Sequence, residues 1–581
     1  MPISAPFSHD AVLAQLERDV AGKPKSAPAR YRLAVALLNV DDPAGAIEQG
    51  SAALALDPRL RDAARLLASL LQRYELNPEI DISIRGLEAA FAFHDVDRQA
   101  LAVSAIRLLK EQAPLARILA TGRAEGWDAA ARLLQRKDGR ALLTSRLFRL
   151  ALIHGVNTDI DIECLLTAFR RDLLLSPDGD RFRERRLFEF ACALVQQCLN
   201  NEYVFFVAAD ERDRLNQLTI SADSVAAAGD LLLACLYQPC HALLPADMDA
   251  SRLRRIAPRA LREVLQPCLA ERNALAERSQ AMPRLTVIAD DTSRRVEQQY
   301  ISDPYPRWLS LQTPQSAIAR AALGEYFAPD DLAFMDAPFN VLIAGCGTGQ
   351  QAVSAALGYG PDADVLAVDL STSSLAYAAQ MAERYDAGNL RFAQADILGL
   401  DTLDTTFDII ECVGVLHHMA DPYDAWRILI DRLRPGGLML TGLYSAVSRA
   451  NFAALWDDAD WPGADADDDA LRHFRRILMQ REAGRPGTEL LVSKDFFAKS
   501  GFRDLALHVS EQHCSLPDIK AFLDANGLVF GGFHLPAHLS DGFRQAYPED
   551  GWPGSLEHWA ASEQAHPRPF DGMYNFWSRK R

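Results

Sequence analysis

Between Pro78 and about Leu285, apolar residues recur at helical spacing in most windows, as in IRGLEAAFAF, RQALAVSAIRLL, DIECLLTAFRRDLLL and FEFACALVQQCL. Each such segment can bury one face and leave the other in water. Upstream, from Ala29, YRLAVALLNV and AIEQGSAALALDP flank a DDPAG turn and predict a pair of helices with small residues where they touch. The texture changes around MPRLTVIADDTSRRVEQQYISDPYPRW, where Pro304 and Pro306 break the helical pattern. Beyond Phe339 short apolar runs alternate with helical stretches, the order expected of a mainly parallel sheet covered on both faces. The pattern predicts an all-α N-terminal half followed by an α/β, Rossmann-like domain. Its boundaries fall at 1–77, 78–285, a connecting segment 286–338, and 339–581 with an insertion at about 445–526.

A chain of 581 residues exceeds what one hydrophobic core organises, which fits this multidomain division. With 49% hydrophobic and 24% charged residues the chain is of the folded type, neither disordered nor fibrous. No apolar run is long enough to span a bilayer, and MPISAPFSHDAVLAQLERDV lacks the basic-then-apolar layout of a secretory signal, so a cytoplasmic protein with no membrane partner is expected. Nine scattered cysteines without a CxxC pair point to reduced thiols. Cys235, Cys240 and His241 in CLYQPCH give too few ligands at unconvincing spacing for zinc, and no metal is expected. A net charge of −17 disfavours nucleic acid as the main partner. The acidic run from Asp457 to Asp469 reads as a solvated loop, or as a lip that attracts a basic substrate.

Candidate chemistry gathers in the α/β part. NVLIAGC, from Asn340 to Cys346, is a short buried strand that runs into Gly345, Gly347 and Gly349. A glycine turn lets backbone approach a ligand closely, but alone it does not separate nucleotide-binding classes. The next strand, ADVLAVDL, ends on Asp369, about twenty residues past the last glycine, where a carboxylate can accept both hydroxyls of a ribose. RFAQADILGL then closes a third strand with Asp396 and Ile397. FDIIECVGVLHHMADP supplies a fourth strand and its loop, and RPGGLMLTGLYS a fifth.

This ordered series, from Asn340 to Ser445, resembles the class I S-adenosylmethionine-dependent methyltransferases. The resemblance implies S-adenosylmethionine as cofactor and a seven-stranded, mainly parallel sheet. It implies that Gly345, Cys346, Gly347 and Gly349 pass beneath the methionine part. Asp369 would hold the ribose, Leu370 would lie against adenine, and Asp396, with Ile397 beside it, would bond the adenine amino group. The family's final antiparallel strands should lie near LVFGGF, Leu528 to Phe533, and near the C-terminus. Across the whole chain the resemblance is to bacterial proteins in which a tetratricopeptide-type region precedes a methyltransferase domain with a YPRW peptide ahead of the glycine loop. Leu33, Ala34, Leu37, Ala46, Ala53 and Pro58 match one such repeat. In several protein-modifying methyltransferases an aromatic segment before the first strand folds over cofactor and acceptor. That makes Tyr300, Tyr305, Arg307 and Trp308 candidates for substrate contact, the alternative being a proline-stiffened linker docked through Trp308.

Glu411 and His417, on the fourth strand and its loop, are the catalytic candidates: a glutamate could hold a guanidinium or amine, a histidine could take a proton from a hydroxyl. The loop lacks Asn-Pro-Pro-Tyr or Asp-Pro-Pro-Tyr, which disfavours adenine and amide acceptors, and Pro-Cys, which disfavours cytosine. Three readings follow. The leading one is a protein methyltransferase whose helical half recruits a polypeptide. The others are a small-molecule O- or N-methyltransferase whose helical half forms a lid or a homodimer, and a scaffold that binds the cofactor without turning it over.

Overall fold

The computed structural model describes residues 9–581 apart from 137–138, 177–181, 183, 221–227, 246, 315–317, 567–569 and 571. Residues 1–8, part of the stretch read above for a targeting signal, lie outside the described residues. Among the described residues no helix is long and apolar enough to cross a membrane. The chain divides into two compact units. One comprises Met1–Arg272 with the short stretches Trp308–Gln312 and Phe497–Lys499, the other Asn273–Arg307, Thr313–Phe496 and Ser500–Arg581.

The first unit is helical. Helices Ala27–Asn39 and Pro43–Leu56 form where the sequence predicts them, each with a proline in its first turn and a side-chain cap: Ser26 accepts from the Ala29 amide and Asp42 from the Gly45 amide. Their buried residues include Leu33, Ala34, Ala46 and Ala53, so the small side chains do let the helices pack closely. Trp308 is buried in this unit, and its neighbours Ser310 and Gln312 accept from the Arg98 and Asp97 amides at 2.9 and 3.2 Å.

The second unit is built on one seven-stranded sheet: β1 (Phe339–Ala344), β2 (Ala363–Asp369), β3 (Leu390–Gln394), β4 (Phe407–Val413), β5 (Leu433–Tyr444), β6 (Leu528–Phe533) and β7 (Met573–Lys580), in the order β3-β2-β1-β4-β5-β7-β6. Strands β1 to β5 pair in parallel, and β7 lies antiparallel between β5 and β6, as the positions of LVFGGF and the C-terminal strand imply. Val341, Leu342, Ile343 and Ala344 are all buried, which is why β1 reads as a continuous apolar run rather than an alternation. Helix Pro422–Arg432, capped by Asp421, buries Ala425, Trp426, Leu429 and Ile430 on one face. Trp426 stacks on Phe522 at 4.3 Å between centroids; truncating such a ring to alanine costs about 3–5 kcal/mol.

The approach segment joins this sheet unit. The Gln394 amide donates to the Pro283 carbonyl and the Gln394 carbonyl accepts from the Leu285 amide, so residues 283–285 extend the free edge of β3. Helix Asp291–Ser302 follows, capped by Asp290. Strand order reverses between β1 and β4, and in such sheets the crevice at the carboxyl ends of the strands is where ligands bind.

Candidate active site

A cavity of about 270 Å³ occupies that crevice. Its floor is the turn after β1. Gly345, Gly347 and Gly349 all have positive φ, at 74°, 51° and 84°. At Gly347 a Cβ would stand 2.5 Å from the Tyr305 carbonyl oxygen, and at Gly349 it would meet Ala378 at the same distance. Glycine is therefore required twice over, by conformation and by space. The Tyr305-Pro306 dipeptide lies directly on the loop: the Thr348 amide donates to the Tyr305 carbonyl at 3.2 Å and the Thr348 hydroxyl to the Pro306 carbonyl at 2.5 Å.

Asp369, at the end of β2, accepts from the Gly347 amide with one oxygen and the Ser371 amide with the other, both at 2.8 Å. Burial pushes its carboxyl above the ordinary value, and these backbone donors oppose the shift. Asp396 caps the turn Ile397–Thr402 through the Leu398 amide at 3.0 Å, and its carboxyl is likewise raised by burial against that bond and the Ser293 hydroxyl. Gly345, Cys346, Gly347, Asp369, Leu370, Asp396 and Ile397 all line the cavity. Gly349 does not. It is the left-handed N-cap of helix Gln350–Tyr359, so it shapes the wall without forming it.

The acceptor-side candidates divide. Tyr300 and Tyr305 line the cavity; Arg307 and Trp308 do not. Arg307 lies over the Tyr377 ring at 5.7 Å, and Trp308 is packed within the helical unit. Glu411 is buried and does not reach the cavity either, because β4 directs it toward helix Gln350–Tyr359. There it accepts from the Gln351 side-chain amide and the Tyr359 hydroxyl, each at 2.6 Å. His417 is fully buried and turned away from the cavity. Its ring stacks on Tyr444 at 3.7 Å, and neither ring nitrogen has a hydrogen-bond partner among the described residues. Burial drives its pKa well below the usual histidine value. The adjacent His418 takes the position expected of His417. It lines the cavity, its Nδ1 lies 2.9 Å from the Ser510 carbonyl, and burial lowers its pKa to about 4, so the ring is neutral at physiological pH.

Sequence reasoning found only Tyr300 of one wall and missed the rest. Thr292, Ser293, Val296 and Tyr300 line the cavity from helix Asp291–Ser302, at the spacing of a single helix face. The signal was present in DTSRRVEQQYIS, but Pro304 and Pro306 drew the reading toward a linker. Met419 and Met573, after β4 and at the start of β7, close the cavity with flexible apolar side chains.

With this geometry in view, residues 341–437 match the family model for a methyltransferase domain. The chain carries a methyltransferase domain. S-adenosylmethionine is the cofactor of this domain. Among curated proteins, an uncharacterized protein of Synechococcus is 30% identical over 201 residues, covering 33% of this chain and 48% of that one. The methyltransferase str2 of Strobilurus tenacellus is 30% identical over 31% of this chain and 58% of its own length. The ubiquinone/menaquinone biosynthesis C-methyltransferase of Azotobacter vinelandii is 34% identical over 20% and 46%. The chain thus spans about half the length of each of these relatives. The methyltransferase domain's cavity suits its cofactor: a carboxylate offers about four acceptor sites, and the backbone amides of Gly347, Ser371 and Leu370 do not use all of those of Asp369, leaving capacity for a hydroxyl group.

Proposed function

We propose that the chain is an S-adenosylmethionine-dependent methyltransferase that modifies a side chain of a polypeptide recruited by its helical unit. The observation that carries the activity is the cavity itself, with a glycine floor that admits no Cβ and carboxylates at the ends of two successive strands. In this reading Gly345, Cys346 and Gly347 lie under the methionine part of the cofactor and Gly349 holds the turn. Asp369 takes the ribose hydroxyls, Leu370 and Ile397 flank adenine, and Asp396 takes its amino group. The bound cofactor supplies a methyl group on a sulfonium, open to in-line displacement.

What the protein contributes is alignment and exclusion of water, which can account for several orders of magnitude in rate. Tyr300, Tyr305 and His418 form the polar wall on the acceptor side, and the neutral His418 ring can orient a group there without adding charge. Glu411 and His417 act from behind that wall as positioning residues. Recruitment of a polypeptide is supported by a groove of about 840 Å³ in the helical unit, where Leu150, Ile153, Phe188 and Val264 are mixed with Arg149 and Glu189. The likeness of the first helix pair to a tetratricopeptide unit points the same way, since stacked helix pairs present concave peptide-binding faces. A cytoplasmic setting fits such a substrate.

A small-molecule acceptor is the second reading, favoured by the name of the quinone-biosynthesis relative. One experiment separates the two. Calorimetry with S-adenosylmethionine should show binding to the full chain, weakened about 10- to 100-fold by Asp369→Ala through loss of charge-assisted bonds. Incubation of the wild-type chain with labelled cofactor and a lysate of its source cell then places the methyl group. Label in a protein band supports recruitment, label in the small-molecule fraction transfers the case to the second reading, and absence of binding defeats the cofactor assignment.

A further inference from the structure

Beside the cofactor cavity, three side chains from two parts of the sheet unit bring acceptor atoms together: His418 after β4, Asp504 in helix Lys499–Ala506, and His508 just beyond that helix. One ligand atom from each lies within 4.8 Å of the others, and His418 and Asp504 are 5% and 4% exposed. The two imidazole rings stack at 3.6 Å between centroids. Both present Nδ1 to one carbonyl: the Ser510 oxygen is 2.9 Å from His418 Nδ1 and 2.6 Å from His508 Nδ1. The Ser510 oxygen can only accept, so it calls for N–H on His418 Nδ1; His508 Nδ1 lies between that oxygen and the Ser510 amide, which donates to it at 3.1 Å, so the proton of this ring can sit on either nitrogen. With Nδ1 protonated, each neutral ring has a bare lone pair on Nε2.

Those lone pairs can take a positive partner. The Tyr300 hydroxyl donates to Asp504 at 2.6 Å, and its oxygen lies 3.1 Å from His508 Nε2, from which it accepts when the ring proton sits there. The nearby Arg449 is committed to Glu511 through Nε at 2.8 Å and Nη2 at 2.5 Å. We propose that His418, Asp504 and His508 form a binding site for one divalent transition-metal ion of the zinc class, with Tyr300 beside the fourth position. Two imidazoles and one carboxylate are a borderline donor set that suits zinc, cobalt or ferrous iron better than magnesium or calcium. A ligand histidine held through Nδ1–H on a backbone carbonyl is the outer-shell arrangement that fixes the tautomer and raises the basicity of the ring. Three protein ligands leave a position open, and because His418 and Tyr300 both line the cavity, that position faces it. A hydroxyl or water bound there would be acidified next to the methyl-transfer path.

The test is direct metal binding by the full chain, stripped with chelator and free of cofactor. Titration with Co²⁺ should give visible absorption that saturates at one equivalent and is displaced by Zn²⁺. Asp504→Asn and His508→Gln should each weaken uptake at least tenfold, on the order of the loss caused by disturbing even outer-shell partners. His558→Gln, at the more exposed group Glu549, Asp550 and His558, should leave it unchanged. S-adenosylhomocysteine affinity, measured on every variant, reports whether the fold and the cofactor reading stand independently of the metal. Absence of uptake overturns the site, as does uptake that neither variant reduces. Should a variant fail to fold, X-ray absorption of the zinc-loaded wild-type chain decides: two imidazole ligands support the site, and fewer refute it.

Discussion

The two ends of the cavity are made in different ways. At the cofactor end Asp369 and Asp396 finish consecutive strands, and most of their donors are backbone amides close by in space, those of Gly347, Ser371 and Leu398. At the acceptor end His417, His418, Tyr444, Arg449, Asp504, His508 and Glu511 come from distant parts of the chain and are held mainly by one another. The first construction depends on main-chain conformation and tolerates change of most side chains. The second depends on every member of a buried polar network, where a missing partner leaves an unpaired group in a medium that penalises it.

The largest effect should follow from breaking the main-chain end. Gly347→Ala places a Cβ 2.5 Å from the Tyr305 carbonyl at a residue with φ of 51°. Neither neighbour is a flexible side chain that can withdraw, so the loop must shift away from the YPRW peptide. Affinity for S-adenosylmethionine should fall by about 100-fold or more, near 3 kcal/mol, within the range of backbone-strain and clash effects. Calorimetry that finds alanine tolerated would mean that the loop and the peptide are not a rigid floor.

Next in size is a pH effect at the side-chain end. Burial raises Asp504 to about 7, with the neighbouring carboxyls Asp495 and Glu511 adding to the rise and Tyr300 and Arg449 opposing it. Tyr305, Tyr444, His418 and His508 are further titratable groups beside it. A carboxyl whose folded pKa exceeds the unfolded one binds its proton more tightly in the native state. Its contribution is therefore fully present below about pH 4 and is lost as pH rises toward 7. His418 has the opposite sign, since its depressed pKa makes stability fall as pH drops from about 6.5 toward 4. The two partly cancel in the metal-free chain. Asp504→Asn should remove one side of the balance, leaving stability that climbs more steeply between pH 4 and 7, by a few kcal/mol at most. Chemical denaturation across that interval gives the slope; parallel slopes for wild type and variant would show that Asp504 does not titrate in this window.

Glu411→Gln probes the boundary between the two constructions. Glu411 receives two donors, and an amide can accept only through its oxygen, so its NH₂ would confront Gln351 or Tyr359. Stability should drop by about 1–3 kcal/mol, while cofactor affinity changes by less than about threefold because Glu411 lies outside the cavity lining. A large loss of affinity with stability intact would restore it to the site.

The same contrast explains what the sequence could and could not disclose. Strand ends, glycine turns and the carboxylates after β2 and β3 are local signals: Gly347 and Asp369 stand out by their spacing, while Asp396 is singled out only through the resemblance to the methyltransferase family. Which of two adjacent histidines faces the cavity was not legible, because Leu416–His418 forms a short 3₁₀ turn whose phase follows from the left-handed Gly414 and from Val415 rather than from any periodicity. Asp504 and His508 could not be found at all: they lie more than eighty residues beyond His418, inside a stretch that reads only as an insertion. Trp308 shows the reverse error. Its place in the YPRW motif suggested contact with substrate, yet it is packed in the helical unit while Tyr305, three residues earlier, lines the cavity.

The smallest expected effect is also the sharpest test of the assignment at the acceptor end. His417 is completely buried, has no hydrogen bond at either ring nitrogen among the described residues, and stays neutral because burial and the surrounding His418, His508 and Arg449 all oppose its charge. Its visible contribution is stacking on Tyr444. Phenylalanine supplies an equivalent ring and removes two unsatisfied polar atoms, at the cost of slightly greater volume. These terms oppose one another, so His417→Phe should shift stability by less than about 1 kcal/mol in either direction. Cofactor affinity and methyl transfer should both stay within about twofold. His418→Phe, by contrast, removes a polar group from the cavity wall and should depress transfer while the fold persists. If His417→Phe instead abolishes transfer in a stable, cofactor-binding protein, then His417 must reach the cavity during turnover, and the division between a wall and a backing layer would have to give way to a loop that exchanges the two histidines.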